Sequence, residues 1–113
     1  MIDNEKFFGP SFFTFLNSGL VTAEIVIDYL QTASGLKRGF VENNPIARFL
    51  QKKIGQMWTA FVGTLSYILG LAVFGTYSMK YALIYSGIVA AIEGYNVFVS
   101  NPKAAGGFKK SLQ

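Results

Sequence analysis

Three of the six acidic residues, Glu24, Asp28 and Glu93, lie inside long apolar stretches, where a carboxyl group is costly. A charge at the centre of a bilayer costs about 2.5–3.5 kcal/mol on insertion scales, so such groups face protein or water and avoid lipid. Carboxyls in that setting have a short list of uses. They hydrogen-bond helices together or to a neighbouring subunit, they pass protons or ions, or they bind a hard cation through oxygen. A catalytic use needs a nucleophile, a base and an oxyanion or metal partner as well. Only the acids are visible here, so no catalytic residue is assigned and an enzyme is not expected.

The acids belong to stripes. Glu24 and Asp28 are four residues apart and share a helical face, Thr32 continues it, and Asn17 and Gln31 flank it. A second stripe, Ser86, Glu93, Asn96 and Ser100, runs along the last apolar stretch. No Lys or Arg falls within these stretches. Four resolutions are therefore open: the acids are carried protonated, a cation binds between them, Lys37, Arg38 or Arg48 reaches up from the adjoining loop, or the partner sits on another polypeptide.

Composition removes other chemistry. The 113 residues contain no Cys and no His, which excludes disulfides, thiolate metal sites, axial haem histidines and Ser-His or Cys-His catalysis within this chain. Carboxylate diiron bundles use His beside Glu, so that centre is not expected, and neither a resident metal nor a cofactor is assigned. An oxygen-only site for a hard cation is the weaker alternative. The net charge of +4 comes from basic residues flanking the apolar segments, which suits anionic lipid headgroups and not nucleic acid; no soluble substrate is evident.

The elements that position the acids follow from hydropathy. With 51% hydrophobic and only 14% charged residues, the exterior suits lipid, and an all-α integral membrane fold is expected. Three crossings are predicted, over about 12–36, 57–77 and 81–99. Pro10 and Ser11 suit the first helix start, and Gly35 suits its left-handed stop. Only Ser78-Met79-Lys80 separates the second and third helices, which makes them a tight antiparallel hairpin. Thr59 with Gly63, and Ser66 with Gly70, are small-residue pairs on the second helix that permit close backbone approach. The acidic opening lacks a basic n-region and a cleavage site, so no cleaved leader is expected.

The loop before the second helix carries Lys37, Arg38, Arg48, Lys52 and Lys53, and the tail carries Lys103, Lys109 and Lys110. The opposite side has only Lys6 and Lys80. The positive-inside rule then places loop and tail in the cytoplasm and the amino terminus outside. Within the loop, Asn44 and Pro45 read as cap and first residue of a short amphipathic helix over about 45–55, lying at the headgroups. The tail, 101–113, with Pro102, Gly106 and Gly107, is expected to be loosely ordered.

The run DYLQTASGLKRGFVENNP, Asp28 to Pro45, resembles an uncharacterised family of small prokaryotic membrane proteins with an Asp-x3-Thr … Glu-x-Asn-Pro signature. Asp28, Thr32, Gly35, Glu42, Asn44 and Pro45 carry the resemblance. It implies a prokaryotic inner-membrane location and no known activity. The residues themselves suggest an accessory, non-catalytic subunit of a larger membrane complex, of respiratory or membrane oxygenase type, whose other integral subunits cover the polar stripes on helices one and three. The alternative is a small homo-oligomeric ion or proton transporter using Glu24, Asp28 and Glu93.

Overall fold

Pro10 opens the first helix, where a missing N–H costs nothing and a fixed φ is already helical. In the computed structural model, which describes residues 9–41 and 44–113, helix α1 then runs unbroken over Pro10–Lys37. Gly35 does not end it. It stays helical, and Gly39, at φ 85°, takes the left-handed turn, while Phe40 N–H returns to the Gly35 carbonyl at 2.9 Å. The helix thus runs past the expected stop, because a second glycine four residues on offers the same conformational freedom beyond the last apolar residues.

Helix α2, Pro45–Ile54, is the amphipathic segment. Asn44 Oδ1 accepts from the N–H groups of Ile46 and Ala47, so two of the orphan donors of the first turn are satisfied. Ile46, Phe49 and Ile54 are all exposed. A single residue, Gly55 at φ 87°, joins α2 to α3, Gln56–Tyr77. Ser78 alone then separates α3 from α4, Met79–Tyr95, and its hydroxyl accepts from Lys80 N–H at 3.1 Å. The α3/α4 hairpin is as tight as its short connection requires.

The third span does not stop at Pro102. Proline cannot donate to the carbonyl four residues back, and its ring crowds that carbonyl. The helix answers by widening into a π turn over Asn96–Ser100 and continuing as α5, Asn101–Ala105. The tail is then folded, contrary to expectation. Gly106 and Gly107, at φ 89° and 141°, reverse the chain into α6, Phe108–Ser111. Phe108 stacks on Phe98 at 5.8 Å, and Ser111 is buried.

Three helices, Pro10–Lys37, Gln56–Tyr77 and Met79–Ala105, are long and apolar enough to cross a membrane. No strand occurs among the described residues. The chain is an all-α membrane protein, and its interior is inverted relative to a water-soluble bundle. Phe15, Leu20, Val26, Leu30, Leu69 and Ile92 lie outside. Inside are Thr14, Glu24, Gln31, Ser34, Ser86 and Ser111, beside Val21, Tyr67, Ala82, Ala90 and Val97. Helix α4 packs chiefly on α1 and next on α3, while α1 and α3 touch less.

Candidate functional site

Helices α1 and α4 run parallel, and their contacts climb together along the chain. Asn17 meets Ser86, Glu24 meets Gly94, and Gln31 meets Val97 and Asn101. Positions 14, 17, 21, 24, 28 and 31 of α1 alternate by three and four, the spacing of a coiled-coil seam. Here the seam is largely polar. The two stripes expected to face a partner face each other instead, because the lipid side of each helix is the apolar one and two polar faces in one chain satisfy one another.

Each level of the seam has its own chemistry. At the upper level Asn17 Nδ2 donates to Ser86 Oγ at 3.1 Å, and Ser86 donates on to the Leu83 carbonyl at 2.9 Å. Nearby, Ser18 and Tyr67 share a hydrogen bond of 2.8 Å, which ties α1 to α3. Tyr67 stacks on Tyr85 at 5.4 Å, and Tyr85 OH donates to the Tyr67 carbonyl at 3.2 Å. Gly70 is the position that admits the Tyr85 ring, since a Cβ there would collide with the phenol.

At the middle level sits Glu24, only 3% exposed. Its Oε2 lies where a Cβ on Gly94 would come within 2.7 Å, so α4 approaches the carboxyl through a glycine. Its Oε1 is buried and accepts no hydrogen bond, and neither does Glu93 Oε2. Buried polar atoms are normally paired, so two orphaned carboxylate oxygens on neighbouring helices mark the unusual part of the molecule.

At the lower level every group is engaged. Asn101 Nδ2 donates to Asp28 Oδ1 and to Gln31 Oε1, both at 2.8 Å. Gln31 Nε2 donates to the Val97 carbonyl at 2.9 Å and to Ser111 Oγ at 3.0 Å. One amide side chain therefore fastens the π turn and the folded tail to α1. Arg38 turns to Ser34 Oγ at 3.2 Å and lies 5.5 Å from the Phe40 ring.

Between α1 and α3 is a cleft of about 250 Å³, with α4 behind it and α2 at one end. Asp28, Thr32, Thr59, Gly63, Tyr67 and Glu93 line it, together with Asn44, Gln51 and Gln56 at the α2 end. Gln56 Nε2 donates to the Tyr29 carbonyl at 2.8 Å and closes that end. Gly63 is exposed while lining the cleft, so the opening is sideways, past α3. Among the described residues no three acidic groups are placed to hold a metal ion.

The expected site residues separate under this geometry. Glu24, Asp28, Thr32 and Glu93 gather around the seam and cleft. Asn96, half-buried, opens the π turn, and Ser100 does not continue the stripe as expected. The π turn inserts one residue, so Asn101 takes the place on α1 that a regular helix would give to Ser100, and Ser100 is exposed. Asn44 and Pro45 cap and start α2 as expected, whereas Glu42 lies outside the described residues. On α3 the four small residues are not one packing face. Thr59 and Gly63 line the cleft, Gly70 takes Tyr85, and Ser66 points outward and bonds the Val62 carbonyl. Sequence reasoning misses the roles of Asn101, Ser111, Tyr67 and Gln56, because these residues lie outside either polar stripe.

Comparison with protein-family models, curated proteins and solved structures gives no match for this chain.

Proposed function

We propose that the protein is an accessory, non-catalytic subunit of a larger membrane assembly, and that the cleft between α1 and α3 is its docking surface. The observation that carries this reading is Glu93 Oε2, buried and without a hydrogen bond in a polar cleft that opens sideways into the apolar exterior. A chain standing alone in lipid has no use for such a cleft, and leaving it unfilled is costly. A neighbouring subunit fills it. The clustering of eight basic residues in the loop and tail supports a cytoplasmic position for both, with the amino terminus outside. The resemblance of Asp28–Pro45 to small prokaryotic membrane proteins favours the inner membrane. Any redox cofactor of such an assembly belongs to other subunits, since this chain has neither His nor Cys.

Mild solubilisation followed by native gels and mass spectrometry tests the reading. Co-migration with larger, unrelated polypeptides is expected; a pure oligomer of this chain would refute it. A second reading, a proton- or ion-conducting homo-oligomer, is favoured by Glu24 alone, whose orphaned oxygen sits inside the α1/α4 seam, beyond the reach of a neighbouring subunit. Vesicle flux measurements on Glu24→Gln separate the two, since only the second reading makes flux depend on that carboxyl.

A further inference from the structure

Independently of the cleft between α1 and α3, we infer that the protein holds an acidic phospholipid, its phosphate seated where the end of α1 meets α5 and α6. A cavity of about 110 Å³ lies there, with Gln31, Thr32, Arg38, Ser100, Asn101 and Ser111 as its polar lining. Gln31, Asn101 and Ser111 spend their donors inside the lower seam and on nearby carbonyls. Arg38 does not. Ser34 takes two of its five N–H groups, Nε–H to the carbonyl at 3.5 Å and Nη2 to the hydroxyl at 3.2 Å. The Phe40 ring lies 5.5 Å from the guanidinium on its other side. An arginine steadied in this way, with donors left over at the rim of a cavity, is set for a forked bond to phosphate oxygens.

Charge names the ligand as an anion. Positions 29–41 and 94–113 carry Lys37, Arg38, Lys103, Lys109 and Lys110 and neither Asp nor Glu. Among the described residues no acid lines the cavity. The folded tail concentrates this charge, since the reversal at Gly106 lays the Lys110 stem 3.6 Å from where a Cβ on Gly106 would stand, next to the lining residue Ala105. Depth and apolarity then choose a lipid over a free phosphate. The cavity sits at the ends of two spans, Pro10–Lys37 and Met79–Ala105, which is headgroup level. Leu36, Phe40 and Val41 also line it, and all three are exposed. An apolar rim beside a cationic seat suits a phosphate that carries acyl chains. A zwitterionic headgroup would bring its own cation towards the lysines, so the acidic phospholipids fit best.

Native mass spectrometry of the full chain, released from micelles doped with phosphatidylglycerol, tests the site. One retained phosphatidylglycerol per chain is expected, with phosphatidylcholine held much less and excess inorganic phosphate unable to displace the lipid. Arg38→Lys keeps the charge and loses the fork. Ala104→Leu keeps every charge and narrows the cavity from an exposed lining position. Each should lower retention about fivefold or more, the scale of one lost hydrogen bond to a charged group or one overpacked position. Lys80→Gln, which removes a charge at the far end of the third span, should leave retention unchanged. Parent-level retention by either cavity variant, with its helicity intact, overturns the inference; should one variant fail to fold, the other decides. Equal retention of phosphatidylcholine, displacement by inorganic phosphate, or a second polypeptide bound in place of lipid overturns it too.

Discussion

Gly94→Ala adds one methyl group to the middle of the α1/α4 seam, opposite the Glu24 carboxyl. The new Cβ would stand 2.7 Å from Glu24 Oε2, about 0.7 Å inside ordinary van der Waals contact. The carboxyl has no solvent side to turn towards, being only 3% exposed, so either its rotamer or the helix separation must change. Overpacking of this kind costs about 1–3 kcal/mol. Against it stands a gain of about 1 kcal/mol in helix propensity when alanine replaces glycine. The net single-variant effect is therefore small, about 0–2 kcal/mol of destabilisation, and does not discriminate well. The double-mutant cycle does. In the Glu24→Ala background the collision partner is gone, and Gly94→Ala should be neutral or stabilising by up to about 1 kcal/mol. The coupling between the two sites should be about 1–3 kcal/mol, or about 5–150-fold in the unfolding equilibrium. Unfolding in mixed micelles with increasing dodecyl sulfate, followed by circular dichroism, reads it directly. Equal effects of Gly94→Ala in both backgrounds would show that Glu24 does not sit against α4 there, and the seam as described would be wrong.

Asn101→Ala removes the donor shared by Asp28 and Gln31 and should destabilise by about 1 kcal/mol, in line with inter-helix hydrogen bonds in membranes; an unchanged unfolding midpoint would contradict its place in the seam. Gly106→Val strains a residue at φ 89° and should loosen the tail, so that trypsin cuts at Lys109 and Lys110 several-fold faster while the spans remain folded; cleavage at the parent rate would mean that the turn does not anchor α6. Single cysteines replacing Lys53, Lys80 or Lys110 in this otherwise cysteine-free chain should label, with an impermeant maleimide on intact cells, only at position 80. Labelling at 53 or 110 would reverse the proposed orientation.

The number of spans, the tight hairpin and the capped amphipathic helix are legible in the sequence because each rests on short-range physics. A long uncharged run, a connection too short for anything but a reversal, and an Asn-Pro cap are local facts. The seam is only half legible. Seven-residue spacing pairs Asn17, Glu24 and Gln31 on one helix with Ser86 and Glu93 on the other, but periodicity cannot say whether two polar faces meet each other or a third party. Extrapolating the spacing by one more heptad gives Ser100, and the structure uses Asn101. The reason is Pro102, whose ring and missing N–H force a π turn that inserts a residue. Taken by itself a proline marks the end of a helix, whereas here it leaves the helix running and rotates the next turn by one position. The folded tail is illegible for a related reason: Ser111 gains its bond from Gln31, a contact 80 residues away in sequence that no local pattern announces.

The same rotation explains how an inverted bundle can be closed at one level and open at another. Across α1 and α4, Asn17 pairs with Ser86 at the upper level, beside a buried Thr14 hydroxyl without a hydrogen bond, and Asp28, Gln31, Asn101 and Ser111 join at the lower level. Between these lies Glu93, which follows the regular helix and so meets neither amide nor hydroxyl for its Oε2. A residue inserted earlier would have swung Glu93 away from the cleft; one inserted later would have left Asp28 without Asn101. The placement of the π turn after Glu93 and before Asn101 thus keeps one carboxylate paired and presents the other to the gap between α1 and α3. In lipid an unsatisfied carboxylate oxygen is a liability unless something regularly occupies it. The open oxygen is thus a consequence of helix register: the amide that closes the lower level reaches α1 only after the inserted residue.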